Sequence, residues 1–129
     1  MNEPRWVLPE TVLALQEQLL VEFGGLAGIR DSGMFESALA RPQQLASYGK
    51  PEVWELAAAY AFGLVRNLPF VDGNKRIGFA TATLFLEING RRFGASEVDA
   101  VVQTLALAAG ELDEAGYAKW LRDNSSAVR

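Results

Sequence analysis

The clearest rhythm of apolar and polar positions begins at Val53, where Val53, Leu56, Ala57, Tyr60, Ala61 and Leu64 recur at steps of three and four and predict a helix with one buried stripe. Pro51 and Glu52 open it. Upstream, Val12, Leu15, Leu19 and Phe23 repeat at helical spacing after Pro9, and Gly24-Gly25 ends the run, so a first helix is predicted over about 9–23. A glycine-rich loop leads to Asp31 or Ser32, either of which can cap a second helix carrying Met34, Phe35, Ala38 and Leu39, with Pro42 expected to close it. The stretch 43–50 is polar and irregular and reads as a mobile surface segment or a substrate-docking flap.

After the third helix comes the decamer 67–76, Asn-Leu-Pro-Phe-Val-Asp-Gly-Asn-Lys-Arg, a polar, turn-rich run between two long apolar patterns. Beyond it, Ile77 to Ile88 holds a single ionisable residue, Glu87, with apolar side chains on every face, the pattern of a helix at a buried centre. Asn89-Gly90 ends that helix, and Arg91-Arg92-Phe93 reads as a short extended piece. Ser96 caps a helix with Val98, Val101, Val102 and Leu105 that stops at Gly110; Asp113 caps the last, with Tyr117, Trp120 and Leu121 on one face. The tail, about 123–129, reads as frayed. The expected architecture is all-α: one domain over 1–129, a compact bundle of about six helices whose central buried helix follows the decamer.

Composition narrows the chemistry. A chain of 129 residues, 50% apolar and 22% charged, is long enough for one core that buries roughly two-thirds of the unfolded surface. No apolar run approaches the roughly 20 residues a membrane span needs, and Met1-Asn2-Glu3-Pro4-Arg5 lacks the plan of a signal peptide, so a cytoplasmic location without membrane contact is expected. With neither cysteine nor histidine, disulfides and thiolate metal sites are excluded, and any metal is expected to be hard and oxygen-bound, such as magnesium. The net charge of −4 speaks against direct DNA binding, whose affinity comes mainly from neutralised phosphates.

If the decamer opens the following helix, its chemistry suits an anion. First-turn N–H groups are unpaired and lie at the positive end of the helix dipole. Gly73 lets backbone approach a phosphate, Asn74 offers an amide hydrogen, Lys75 and Arg76 add positive charge, and Asp72 suits a carboxylate holding Mg2+ against phosphate oxygens. Phe70 would anchor the loop in the core. The plainer alternative makes Asp72 a helix cap, Gly73 a turn and the two cations solvated charges.

The run Pro69-Phe70-Val71-Asp72-Gly73-Asn74-Lys75-Arg76 resembles the signature of the Fic/Doc family, histidine-x-Phe-x-Asp-Gly/Ala-Asn-Lys-Arg. The stretch from Phe23 to Asp31 and the run Phe85-Leu86-Glu87-Ile88-Asn89-Gly90 resemble the family's early loop and post-motif helix end. The wider Fic pattern has Gly after the Asn and a second Arg three residues past the first, where this chain has Lys75 and Phe79, which points to the Doc (death-on-curing) branch. The resemblance implies a toxin of a toxin–antitoxin pair that transfers the γ-phosphate of ATP to a protein hydroxyl, a threonine of elongation factor Tu, and stops translation. It implies Mg2+ on Asp72 and phosphates on Gly73, Asn74, Lys75 and Arg76, with Arg66 as added charge or a plain surface residue. An AMP-transferring Fic-type enzyme is the neighbouring alternative. The implied partner is a cognate antitoxin whose C-terminal segment folds as a helix into a groove, sought among the first helix, the 24–28 loop and the 43–50 stretch.

One departure matters. The family's general-base histidine falls at Leu68, which has no lone pair. Loss of a general base lowers rate by about 10²–10⁴-fold, so the resemblance implies phosphate binding with little or no transfer. Gln16 is no substitute, because an amide is not a base. A disarmed toxin and a degenerate, catalytically dead protein-binding module both fit Leu68.

Overall fold

The computed structural model describes residues 3–128. Six helices and two short strands follow one another: α1 Pro9–Phe23, α2 Ser32–Tyr48, α3 Val53–Asn67, α4 Asn74–Ile88, β1 Arg91–Phe93, α5 Glu97–Ala109, α6 Glu114–Asp123 and β2 Ser125–Ala127. The helix starts are chemical. Asp31, Ser96 and Asp113 each accept a hydrogen bond from the backbone N–H three residues on, and Glu52 and Glu55 close a reciprocal capping box on α3. Gly24 and Gly110 end α1 and α5 at positive φ, 81° and 78°, where a side chain would be strained.

The middle of the bundle is shared by α3 and α4, and α3 is the more completely buried. Its run Ala57-Ala58-Ala59-Tyr60-Ala61, with Gly63, Leu64 and Val65, is sealed from solvent on nearly every side. Small side chains let α2, α4 and α6 pack closely around it. The six-residue buried face of α4 seats Phe85 between Tyr60, with ring centroids 5.2 Å apart, and Trp6, at 5.9 Å. No helix among the described residues is long and apolar enough to cross a membrane.

Pro42 does not close α2. The helix runs through it to Tyr48, so most of the 43–50 stretch is regular helix rather than a flap. An interior proline forfeits one backbone bond and crowds the carbonyl four residues earlier. Here Pro42 is fully buried in the core, and that carbonyl, on Ala38, faces Gly63, where no side chain crowds it. A Cβ on Gly63 would stand 3.0 Å from Ala38 Cα and 3.1 Å from its carbonyl oxygen. We expect Gly63→Ala to push α2 off α3 and destabilise the fold by about 1–3 kcal/mol, whereas Gly49→Ala, with nothing within 4 Å, should leave the urea midpoint unchanged or slightly raised.

The tail is also ordered. Ser125–Ala127 pairs antiparallel with Arg91–Phe93, in the register Arg91 to Ala127, and Val128 N–H donates to Gly90 O at 2.9 Å. The reason is an open strand edge. Phe93 is fixed edge-on against Trp120, 5.0 Å away, and against Phe79, 5.7 Å away, so β1 presents unpaired backbone that the tail satisfies. Arg129 lies outside the described residues.

On α5, the apolar residues Val98, Val101, Val102 and Leu105 face solvent, Val98 at 74% exposure, while Ala100, Thr104 and Leu107 are buried. Polar pairing sets this rotation. Thr104 and Tyr117 share a buried hydroxyl–hydroxyl bond of 2.8 Å, and Trp120 Nε1 donates to Asp99 Oδ2 at 2.7 Å. Burial pushes the Tyr117 hydroxyl up to about 12, so it keeps its proton and serves only as a fixed polar pin.

Candidate functional site

The decamer forms the turn between α3 and α4 and is laid antiparallel against the 24–31 loop. Phe70 and Ile29 make a β-bridge, Val71 N–H donates to Gly28 O at 3.0 Å, and the N–H groups of Arg30 and Asp31 both donate to Pro69 O, at 2.7 and 3.1 Å. Phe70 is buried and meets Phe35 edge-on at 5.5 Å, the core anchor expected of it.

Leu68 caps the C-terminus of α3 in the left-handed region, φ 50° and ψ 52°, the one non-glycine residue with positive φ among those described. A Cβ makes that conformation cost roughly 1–2 kcal/mol, and among non-glycine residues Asn, Asp and His are enriched there. Arg30 holds it: Nε donates to Leu68 O at 2.6 Å and Nη2 to Asn67 O at 3.0 Å. A guanidinium on the last carbonyls also complements the helix dipole. Leu68 is 48% exposed.

Asp72 and Gly73 form the turn into α4. Leu26 N–H donates to Asp72 Oδ2 at 2.9 Å, and Gln16 Nε2 donates to Asp72 O at 2.8 Å. Gly73 is the N-cap at φ 79° and provides no side-chain cap, so first-turn N–H groups of α4 stay available to an anion. Asn74 is placed differently from a free donor. Its Oδ1 accepts from Phe70 N–H and its Nδ2 donates to Phe70 O, both at 3.0 Å, so the amide staples the loop shut. Lys75 and Arg76 are exposed, Arg76 lying over the Phe23 ring with 4.9 Å to the centroid. Arg66 is not gathered with them: its guanidinium lies over Phe62, 5.8 Å to the centroid, and against the Gly110 turn.

A model of the Fic/DOC family matches residues 6–86, the stretch from just before α1 through most of α4. The chain belongs to the Fic/DOC family. It is similar to Toxin Doc of Mycolicibacterium smegmatis, 45% identical over 78 residues that span 58% of this chain and 59% of that protein. It is also similar to Protein kinase doc of Escherichia phage P1, 32% identical over 120 residues covering 92% of this chain and 94% of the phage protein.

Within this Fic/DOC chain, two residues outside the decamer hold it: Gln16, considered above only as a base, and Arg30. Gln16 had a signal: it occupies a buried stripe position of α1, four residues after Val12, where an apolar side chain is the norm. Arg30 had only its place at the end of the early loop, because its bonds to Asn67 and Leu68 span 37 and 38 positions of sequence.

Proposed function

We propose that this chain is a Doc-type toxin of a toxin–antitoxin pair whose site binds ATP with Mg2+ and lacks the group that takes the proton from the target. The observation that carries the reading is the α4 N-terminus itself: an uncapped Gly73 turn flanked by Asp72, Lys75 and Arg76. Among the described residues no three acidic side chains cluster to cage a metal. Mg2+, however, is commonly held by one or two carboxylates with substrate phosphates and water completing the shell, and Asp72, held through only one of its oxygens, fits that role. Bound there, the ion would neutralise phosphate charge.

The chain's own groups divide the work. The α4 N–H groups, Lys75 and Arg76 bind and orient phosphate oxygens, and the Asn74 staple keeps the turn closed around them. Lys75, in place of the glycine of AMP-transferring relatives, favours transfer of the terminal phosphate to a protein hydroxyl. The target class is a threonine of elongation factor Tu in the cytoplasm. At position 68 nothing accepts the hydroxyl proton, so transfer is slow. Leu68 equally favours a second reading, a binding module in which the fold serves a protein partner. Val21, Phe23, Leu26 and Ile29 along α1 and its following loop are exposed, apolar surface of the kind an antitoxin helix would cover.

The test is calorimetry of the chain as it stands. ATP with Mg2+ should bind, Asp72→Ala should weaken binding most when Mg2+ is present, and Lys75→Ala should weaken it with or without the ion. Absence of binding at millimolar ATP overturns the reading.

A further inference from the structure

Gln16 stands on the buried face of α1 at 4% exposure, and its amide bonds are lopsided. Nε2 donates to Asp72 O at 2.8 Å, across 56 positions of sequence, while Oε1 is sealed from solvent without a donor among the described residues. The orientation is fixed by chemistry. Flipping the amide would set its oxygen against the Asp72 carbonyl, two acceptors face to face. A buried oxygen left without a partner carries the full desolvation cost of that group. A residue chosen for packing alone would be leucine or methionine, so the amide is retained at a cost for the single bond it makes.

That bond acts at the turn. A Cβ on Gly73 would stand 3.4 Å from Gln16 Nε2 and 3.5 Å from Oε1, so the same amide lies against both residues that lead into α4. Asp72 is thereby held at two points, its carbonyl by Gln16 and its carboxylate by Leu26 N–H at 2.9 Å. We infer that Gln16 is a positioning residue: by fixing the Asp72 peptide it sets the direction of the Asp72 carboxylate and the opening of the α4 N-terminus. The inference rests on the cation-and-phosphate reading of this site for its consequence, but its geometry is measurable without any ligand.

Gln16→Met removes the donor and the orphaned oxygen together while keeping shape. The melting temperature should stay within a few degrees, Mg2+-dependent ATP affinity should fall about tenfold, roughly 1.4 kcal/mol, and the Leu26 amide should exchange faster with a shifted resonance. Gln16→Glu, assayed at neutral pH, keeps the side chain's length but, ionised, cannot donate to the Asp72 carbonyl, so it should shift the Leu26 resonance and lower ATP affinity in the same direction as Gln16→Met. An unchanged Leu26 amide in both variants overturns the inference, as does a large fall in melting temperature with ATP affinity intact. If the unsubstituted chain binds no ATP, the nucleotide reading fails, and the Leu26 amide still decides the role of Gln16.

Discussion

Leu68→His is expected to raise the rate of phosphate transfer from γ-labelled ATP to a protein hydroxyl by about 10²–10⁴-fold, the usual contribution of a positioned general base. Backbone conformation argues that histidine fits there. Residue 68 sits in the left-handed region, where His is several-fold enriched among non-glycine residues and leucine is a misfit. Arg30 clamps the peptide through Leu68 O and Asn67 O whatever side chain the residue carries, because both bonds go to backbone. Residue 68 is half exposed, so an imidazole there need not be buried. Leu68→Asn is the control: asparagine also suits the left-handed region but has no basic nitrogen, so it should relieve the same strain and leave transfer where it stands. Purified elongation factor Tu is the first acceptor to assay. Equal rates for the His and Asn variants, with both folded and both binding ATP, would remove position 68 from the chemistry and leave the protein-binding reading.

The contrast between these two substitutions also separates what the sequence carried plainly from what it hid. Local rules were legible because they act over a few residues. Caps at Asp31, Ser96 and Asp113, glycine stops at Gly24 and Gly110, and the stripe of α3 all stand where spacing predicts. The turn by which the decamer opens α4 was legible for the same reason, since Asp72 through Arg76 are contiguous. Features decided across the fold were not. Pro42 reads as a stop until Gly63 is brought against Ala38. Which face of α5 is buried is not set by its valines but across the fold, where Thr104 finds Tyr117 and Asp99 finds Trp120. The last residues read as loose until β1 offers its edge. Asn74 reads as a ligand donor, yet its amide closes the loop on Phe70. Gln16 and Arg30 act on the decamer from α1 and the early loop, and their geometry exists only in three dimensions.

Phe85→Ala should cost about 3–5 kcal/mol, because it deletes a fully buried aromatic ring and leaves a cavity that its neighbours refill only in part. Against a total of roughly 5–15 kcal/mol for an ordinary domain, that is a large share. For a chain of this size it corresponds to a fall of about 10–20 °C in melting temperature. The ring sits against Tyr60 at 5.2 Å and Trp6 at 5.9 Å, so the loss loosens the seat of α4 on α3 together with the lead-in to α1. Collapse is limited because Tyr60 is itself pinned: its hydroxyl accepts from Val7 N–H at 3.1 Å. The turn proposed to hold phosphate lies at the other end of the same helix, eleven residues and about 16 Å from Phe85. Below the lowered melting temperature, ATP affinity should therefore stay within about threefold of the unsubstituted chain. A variant that melts early yet binds normally places the nucleotide site in the locally braced turn of Asp72 to Asn74. If binding is lost in parallel at temperatures where the variant is still folded, the cradle depends on the packing of α4 along its whole length, and the loop bonds from Gln16, Leu26 and Phe70 are not enough to hold it.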